Sequence, residues 1–579
     1  MKRYFKYIKP YLPYFIIGPL LMILEVMGDV VLPALVAKII NVGAANHDIG
    51  YMIQVGIVMV IFASLMMAGG IGGAYFASKA AMNFGADLRK DLFRKVQQFS
   101  FADIDRFSTG SLVTRLTNDI TQMQNMIMMG LRMMLRAPGM LIGAVIMAFM
   151  MNASLAMILV IVLPILALGI GVIVRIGFPR FGRMQEKLDR LNSGIQENLT
   201  NVRVIKSFVR ETHEEEKFRA ANEDLKDAGM AAFRVVIFQM PLMTIVMNVT
   251  TLAVVWFGGK QILVGDMAVG DLTAFTTYIV QVLMSLMMLA MALLQSTRAV
   301  ASSKRICEVL DTQVELTDEN AGEKDRKVKR GKVEFRHVSF RYYKENREQV
   351  LSDINLTIEP GETVGIIGST GCGKTTLVQM IPRLYDADEG EVLVDDVNVR
   401  EYSFENLRNG VGMVLQKNVL FSGTILENLK WGDEEADKDT IVAAAKAAQA
   451  DDFVQSFPDG YETELGQGGV NVSGGQKQRL CIARALLKKP AILILDDSTS
   501  AVDTATEARI RQAFSTTLKS TTKILIAQRI SSVMEADKIV VMEEGKIVGC
   551  GTHEELLASC VPYQEIYDSQ MENRKEAGA

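Results

Sequence analysis

Apolar positions are spread unevenly along this chain. Over roughly the first 300 residues Met, Leu, Ile, Val and Ala gather into long runs, whereas beyond them Lys, Arg, Asp and Glu are dense and apolar stretches shorten to strand length. Crossing a bilayer takes about 20 consecutive apolar residues in a helix, because every backbone polar group must be satisfied internally. Six runs meet that need, near 13–42, 52–77, 131–152, 153–176, 235–258 and 270–297. Only Asn152-Ala153-Ser154 separates the third from the fourth, which predicts a tight hairpin. The first run is longer than a signal-peptide core and lacks an A-x-A-like cleavage site, so it reads as a retained membrane helix. Ala86 to Val96 and Gln185 to Phe218 mix apolar residues at helical spacing with i,i+4 charges. They predict helices that continue out of the membrane, either as levers for a cytosolic domain or as plain stalks. Met1 to Leu12 is basic and aromatic, as suits an interfacial helix.

Basic residues orient these spans. Lys2, Arg3, Lys6 and Lys9 precede the first, and the segments between spans two and three and between four and five are also rich in Lys and Arg. The opposite loops are nearly free of them, Lys260 excepted. By the positive-inside rule both termini and both long loops are cytosolic in a multi-pass protein of the cell membrane. Glu25 and Asp29 fall on one face of the first span; Glu25 reads either as lining a substrate or cation path or as pairing with Arg132 or Arg136, and for Asp29 simple hydration near the outer surface is the alternative. Met284, Met287, Met288 and Met291 in the sixth suit an adaptable apolar cavity or ordinary helix packing. Pro241 and Gly258-Gly259 are candidate bending points.

Net charge, −4 over 579 residues, gives no sign of a nucleic-acid partner, since no positive excess exists to neutralise phosphates. The five cysteines, Cys307, Cys372, Cys481, Cys550 and Cys560, form no CxxC pair and read as free thiols of a reducing compartment.

In the polar half, residues 311–331 are charged and without apolar periodicity, which predicts a linker between a membrane domain at 1–310 and a soluble domain at 332–579. Thr363 to Ile367 reads as a buried strand leading into Gly368-Ser369-Thr370-Gly371-Cys372-Gly373-Lys374-Thr375-Thr376. This is the phosphate-binding G-x-x-x-x-G-K-[ST] loop in its required setting, a strand before and a helix after. Its glycines let backbone N–H groups approach ATP phosphates, Lys374 reaches the terminal phosphates, and Thr375 is a ligand for Mg²⁺. A second apolar strand, Ala491 to Leu495, ends in Asp496, placed to hold Mg²⁺ through water.

Between these lies Asn471-Val472-Ser473-Gly474-Gly475-Gln476-Lys477-Gln478-Arg479, which resembles the signature sequence of ATP-binding cassette (ABC) transporters. The resemblance extends over essentially the whole chain, and the order of parts is similar to the exporter type. It implies an all-α six-helix membrane domain followed by an α/β P-loop ATPase. It also implies that Tyr342 stacks on adenine, that Gln416 senses Mg²⁺ and that Asp503, in Ser500-Ala501-Val502-Asp503, crosses to a partner cassette. Gly466 to Gly469 would touch the coupling helices, and Phe101 to Thr109 and Ile205 to Glu211 would dock on cassettes. In this family ATP lies between the loop of one cassette and the signature of another, so Ser473, Gly474, Gly475 and Gln476 would serve a second half-transporter.

Two positions depart from the family pattern. Asp497 stands where Glu usually polarises the attacking water, and Gln528 stands where His is the usual switch residue. Losing one methylene withdraws the carboxylate by about 1 Å, and such an error costs on the order of 100-fold in rate. An amide cannot carry the charge of an imidazolium. The pair predicts a site that binds ATP and hydrolyses it slowly, as in the degenerate half of a heterodimeric multidrug exporter of small amphipathic molecules drawn from lipid or cytosol. A dedicated lipid or peptide exporter and a non-transporting ATP sensor are the competing readings.

Overall fold

Among the described residues, six helical segments are long and apolar enough to cross a membrane: Phe5–Ala44, Ile49–Gln97, Thr109–Met151, Ala153–Thr200, Glu211–Val264 and Val269–Leu289. The computed structural model describes residues 2–319, 321–342, 348–497 and 502–577. They fall into two units, Met1–Gln97 with Gly110–Thr312, and Gln98–Thr109 with Gln313–Ala579.

In the first unit the helices outrun the apolar patterns. Ile49–Gln97 has 49 residues, about 74 Å at 1.5 Å per residue, against about 30 Å of hydrocarbon. Ala153–Thr200 has 48 residues. The polar stretch Ala86 to Val96 is thus continuous helix, whereas Gln185 to Phe218 is helical with breaks at Asn201 and at 208–210, on either side of the short helix Val202–Ser207. The third and fourth spans meet at a single non-helical residue, Asn152, whose carboxamide oxygen accepts the Leu155 N–H at 3.0 Å and caps the fourth. The fifth span is interrupted at Phe238, between helices Glu211–Ile237 and Gln239–Val264. Pro241 explains the position, because it cannot donate to the carbonyl four residues earlier. Gly258-Gly259 stays helical.

Small residues bring the first two spans together. Gly69, Gly73, Ala77 and Ala80 are buried along one face of Ile49–Gln97. A Cβ on Gly69 would stand 2.9 Å from the Leu21 carbonyl oxygen, so only glycine allows this approach. Tyr278 of helix Val269–Asp311 is fully buried and donates to the Val30 carbonyl at 2.7 Å, tying the sixth span to the first. Ile57, Val60 and Met67 point outward, apolar and exposed, as a lipid-facing surface requires.

Among the described residues the second unit is built on two large sheets, with a two-stranded ribbon of Gly423–Thr424 and Glu464–Leu465 beside them. A six-stranded sheet runs in the order Lys546–Gly551, Lys538–Glu543, Thr363–Gly368, Thr522–Ile526, Ile492–Asp496, Val411–Val414. All its pairings are parallel except that of Lys546–Gly551. Such strands are covered on both faces, which is why their sequences are almost continuously apolar. A four-stranded sheet, with Val333–Phe340 between Leu351–Ile358 and Glu389–Val394, shares a core with it through Phe335, Ile354, Val392, Ile366, Ile494 and Ile524. A second core surrounds helix Gly474–Leu487, where Leu480 and Ile482 pack with Ile441, Val454 and Leu493.

Of residues 311–331, expected as a linker, Asp311 still ends helix Val269–Asp311, and the described residues after it carry no regular element longer than a turn, those from 313 on being anchored within this unit. The Asp395 carboxylate accepts the backbone N–H groups of Lys329, Arg330, Gly331 and Lys332 at 2.7–3.0 Å. Val328 is buried in the shared core. All five cysteines are free thiols.

Candidate nucleotide-binding site

The phosphate loop leaves the C-terminal end of Thr363–Gly368, an inner strand of the six-stranded sheet, at the crevice where open α/β sheets place ligands. Gly368, Gly371 and Gly373 have φ of 154°, 85° and 96°. A Cβ on Gly368 would lie 2.1 Å from the Met542 carbonyl oxygen, whereas at Gly371 nothing stands within 4 Å. The loop is therefore packed from below and open above. Lys374 folds back over it, donating to the carbonyls of Gly368 at 2.8 Å and Ser369 at 2.7 Å. Cys372 turns its thiol into the core, so only its backbone faces outward with Thr370.

Asp496 ends strand Ile492–Asp496, which lies one strand beyond Thr522–Ile526 from the loop's own strand, and is 1% exposed. Its Oδ1 accepts the Thr375 hydroxyl at 3.0 Å, while its Oδ2 is buried without a hydrogen-bond partner. Burial pushes this carboxyl above the usual range, and the Thr375 bond only partly offsets that. A buried carboxylate oxygen with no donor, beside a hydroxyl, suits a hard divalent cation such as Mg²⁺.

Parallel pairing of Ile526 with Asp496 brings the next residues of both strands together. Gln528 Nε2 donates to Asp497 Oδ2 at 2.7 Å. Gln416, after strand Val411–Val414, also hydrogen-bonds this carboxylate. Burial pushes the Asp497 carboxyl up, opposed by those two amides and by the charges of Lys374 and Arg529. Its backbone sits at φ 48°, a left-handed conformation that Asp tolerates better than most residues.

Tyr342 stands at the edge of the loop. Its hydroxyl is 2.8 Å from Thr376 Oγ1, and its ring packs edge-on to Phe340 and Tyr385 with centroids 5.1 and 5.2 Å away. Helix Phe101–Arg106 joins the same aromatic group, Phe101 lying 6.1 Å from Tyr385, whose hydroxyl donates to Asp105 at 3.2 Å.

Ser473 caps helix Gly474–Leu487 in a reciprocal box, accepting the Gln476 N–H at 3.3 Å while Gln476 Oε1 accepts the Ser473 N–H at 2.8 Å. Val472 is buried in the core around that helix. Gly475 opens the helix beside Gly474, and the serine is exposed. Gly468 and Gly469, at φ 69° and 65°, form the preceding turn.

The transmembrane-region family of ABC transporters matches residues 15–286, and the ABC transporter family of ATPase domains matches 351–500. The uncharacterized ABC transporter ATP-binding protein YfiB of Bacillus subtilis is 42% identical over 570 residues, 98% of either chain. This chain belongs to the ABC transporter family. A second Bacillus subtilis ABC relative, YgaD, provisionally named a multidrug export ATP-binding/permease protein, is 34% identical over 583 residues, covering 98% of this chain and 99% of its own. The fold of a bacterial Atm1-family ABC exporter, solved with ATP bound, superimposes with a TM-score of 0.80 at 24% identity, over 96% of this chain and 98% of that one.

The molecule is thus an ABC exporter half, a six-span membrane domain fused to an ATPase whose hydrolysis is coupled to transport. The fold gathers Lys374, Thr375, Asp496, Asp497, Gln416 and Gln528 around one corner of this ABC ATPase. The signature residues Ser473 to Gln476 lie instead at the start of helix Gly474–Leu487, with Ser473 and Gly474 exposed, while the buried face of that helix packs in the separate core. Asp503 caps helix Thr504–Thr517, its Oδ1 accepting the Thr506 N–H at 2.9 Å. Those bonds hold its carboxyl below the usual range. Ser500 and Ala501 of the same motif lie outside the described residues, as does the side chain of Met291.

One residue at this ABC site left no mark in the sequence. Gln570, in the C-terminal helix Val561–Ala577, donates to the Gln528 carbonyl at 2.8 Å and accepts the Ile530 N–H at 2.9 Å. It clamps the backbone that aims Gln528. A glutamine 42 positions downstream in a polar helix carries no motif, so only the folded chain identifies it.

Proposed function

We propose that this chain is the low-hydrolysis half of a heterodimeric ABC exporter of small amphipathic molecules, working in the cell membrane with both termini cytosolic. The supporting observation is the 2.7 Å hydrogen bond from Gln528 to Asp497. A general base must approach the proton of its water to about 3 Å. Here the carboxylate is one methylene short of glutamate, and an amide already occupies one of its oxygens. Freeing that oxygen forfeits a charge-assisted hydrogen bond, about 1.5–3 kcal/mol. Misplacement of about 1 Å adds on the order of 100-fold.

The binding parts have no such defect. The backbone N–H groups of residues 369–373 and the Lys374 ammonium would hold the phosphates of ATP, with Thr376 at the rim. Tyr342 would stack on adenine once its ring is drawn from the aromatic group. Thr375 and Asp496, with Gln416 nearby, would hold Mg²⁺. Bound there, the ion supplies positive charge to the phosphate oxygens. This chain's Ser473, Gly474, Gly475 and Gln476 would complete the ATP site of the partner half, and Asp503 would lie at the seam. The partner's site then performs most of the hydrolysis, while this one holds nucleotide and keeps the cassettes associated. The name of YgaD and the apolar outer faces of the spans favour amphipathic cargo. The bias of Lys and Arg toward the long loops favours cytosolic termini.

The test is ATPase activity of this chain purified alone and with its partner half. Little activity alone, restored by the partner, is the expected result. Full activity alone would replace the heterodimer by a symmetric pair.

A further inference from the structure

Charge partly withdrawn from solvent also lies inside the spans. Glu25 and Asp29 sit one turn apart in helix Leu12–Lys38. Arg136, from helix Ile120–Met151, reaches both, with Nη1 3.0 Å from Glu25 Oε1 and Nη2 3.4 Å from Asp29 Oδ2. Arg136, rather than Arg132, is therefore the partner of the first span's acids. One guanidinium against two carboxylates leaves one negative charge over. Their side chains are 16–29% exposed, in helical segments long and apolar enough to cross a membrane.

Two acceptors at this place are unsatisfied. Gln281 donates through Nε2 to the Asp29 carbonyl at 2.8 Å, yet its Oε1 is buried without a partner, as is Glu25 Oε2. Arg136 Nε is a buried donor in the same condition. Asp29 and Gln281 open onto a cavity of about 270 Å³ whose other walls include Leu32, Pro33, Val36 and Thr277.

An excess charge in a medium of low dielectric requires a counter-charge or a proton. A metal ion would need six or more oxygen ligands or its own waters, and these walls are mostly hydrocarbon. A protonated amine on an apolar body suits this lining: positive charge for Asp29, N–H donors for Asp29 and Gln281, hydrocarbon for Leu32, Pro33 and Val36. We propose that Asp29 and Gln281, beside the Glu25–Arg136 pair, form a binding site for the ammonium group of a cationic amphipathic substrate. The proposal rests on the export reading and adds the charge and donor character of the cargo. Arg136 acts as an internal counter-ion that sets the site at one negative charge instead of two.

The experiment uses the full-length chain with its partner half in lipid nanodiscs, and reads stimulation of ATPase by dodecylammonium, dodecyltrimethylammonium and dodecanol. Expected is half-maximal stimulation by dodecylammonium at a concentration about tenfold below that of dodecanol, as one charge-assisted hydrogen bond would give. Dodecyltrimethylammonium, which has no N–H, should fall between them. Asp29→Asn should erase the preference. Glu25→Gln with Arg136→Gln, which again leaves one negative charge, should keep it. Gln281→Leu should weaken dodecylammonium alone, and this neutral change serves also if Asp29→Asn fails to fold. Equal stimulation by amine and alcohol in the wild type, or a preference unchanged by Asp29→Asn, would reduce the triad to a structural ion pair and overturn the proposal. If none of the three compounds stimulates ATPase or is moved across vesicles, it is the export reading that fails.

Discussion

Gln528 donates its carboxamide to Asp497 at 2.7 Å, across two strands joined in parallel register at Ile526 and Asp496. Both residues belong to the corner that holds Lys374 and Asp496, and the contact makes them one unit. Changing either alone leaves the other mismatched.

Asp497→Glu combined with Gln528→His should therefore raise hydrolysis at this site by about 10- to 100-fold, with a smaller gain from either change alone. Single-turnover ATPase, measured in a pair whose partner half has lost its own hydrolysis, isolates the effect. No gain in the double variant would mean that the slow step lies elsewhere.

Gln570→Ala should loosen the segment that carries Gln528. Two hydrogen bonds to backbone are lost, worth about 1–3 kcal/mol of local stability together. Faster amide hydrogen exchange over residues 528–532, with ATP affinity unchanged, is the expected signature. An unchanged exchange rate would show that the clamp is incidental.

Tyr342 makes two separable contributions, a ring and a hydroxyl bonded to Thr376. Tyr342→Phe should keep ATP affinity within about twofold, since the stacking face remains, whereas Tyr342→Ala should lose about 1–3 kcal/mol. Calorimetric titration with ATP distinguishes the two, and equal losses would remove the stacking role.

Asp496→Asn replaces the buried oxygen that lacks a donor. Mg²⁺ should tighten ATP binding to the wild type and do little for the variant. Measured without Mg²⁺, the two proteins should bind ATP within a few fold of each other, because the asparagine relieves a buried charge instead of breaking a pair. Persistent tightening by Mg²⁺ in the variant would place the ion on other ligands.

Ser473→Ala tests the division of labour between the halves. It should remove the helix cap, about 1 kcal/mol, and depress the ATPase of the assembled pair while leaving nucleotide affinity at this chain's own Lys374 loop unchanged. A fall in that affinity instead would mean that the signature serves its own chain.

Patterns confined to neighbouring residues were enough to establish the architecture. Six apolar runs define the spans, because lipid enforces about 20 residues of internally bonded helix wherever the chain crosses it. A strand, glycines and a lysine in close succession define the phosphate loop, because its chemistry needs them adjacent. Asp497 and Gln528 stood out as departures from a local motif, but their direct contact did not, since 31 positions separate them.

Contacts between distant residues were settled only by the folded chain. Arg132 and Arg136 lie one helical turn apart and are equivalent on paper. The packing of Ile120–Met151 against Leu12–Lys38 gives Glu25 and Asp29 to Arg136. The four N–H groups on Asp395, the clamp from Gln570 and the inward turn of Cys372 have the same origin. Sequence alone specifies what each short segment must be, because steric, hydrogen-bonding and lipid constraints act within a few residues. Which side chains meet depends on strand register and helix rotation, and those are decided by burial summed over the entire chain.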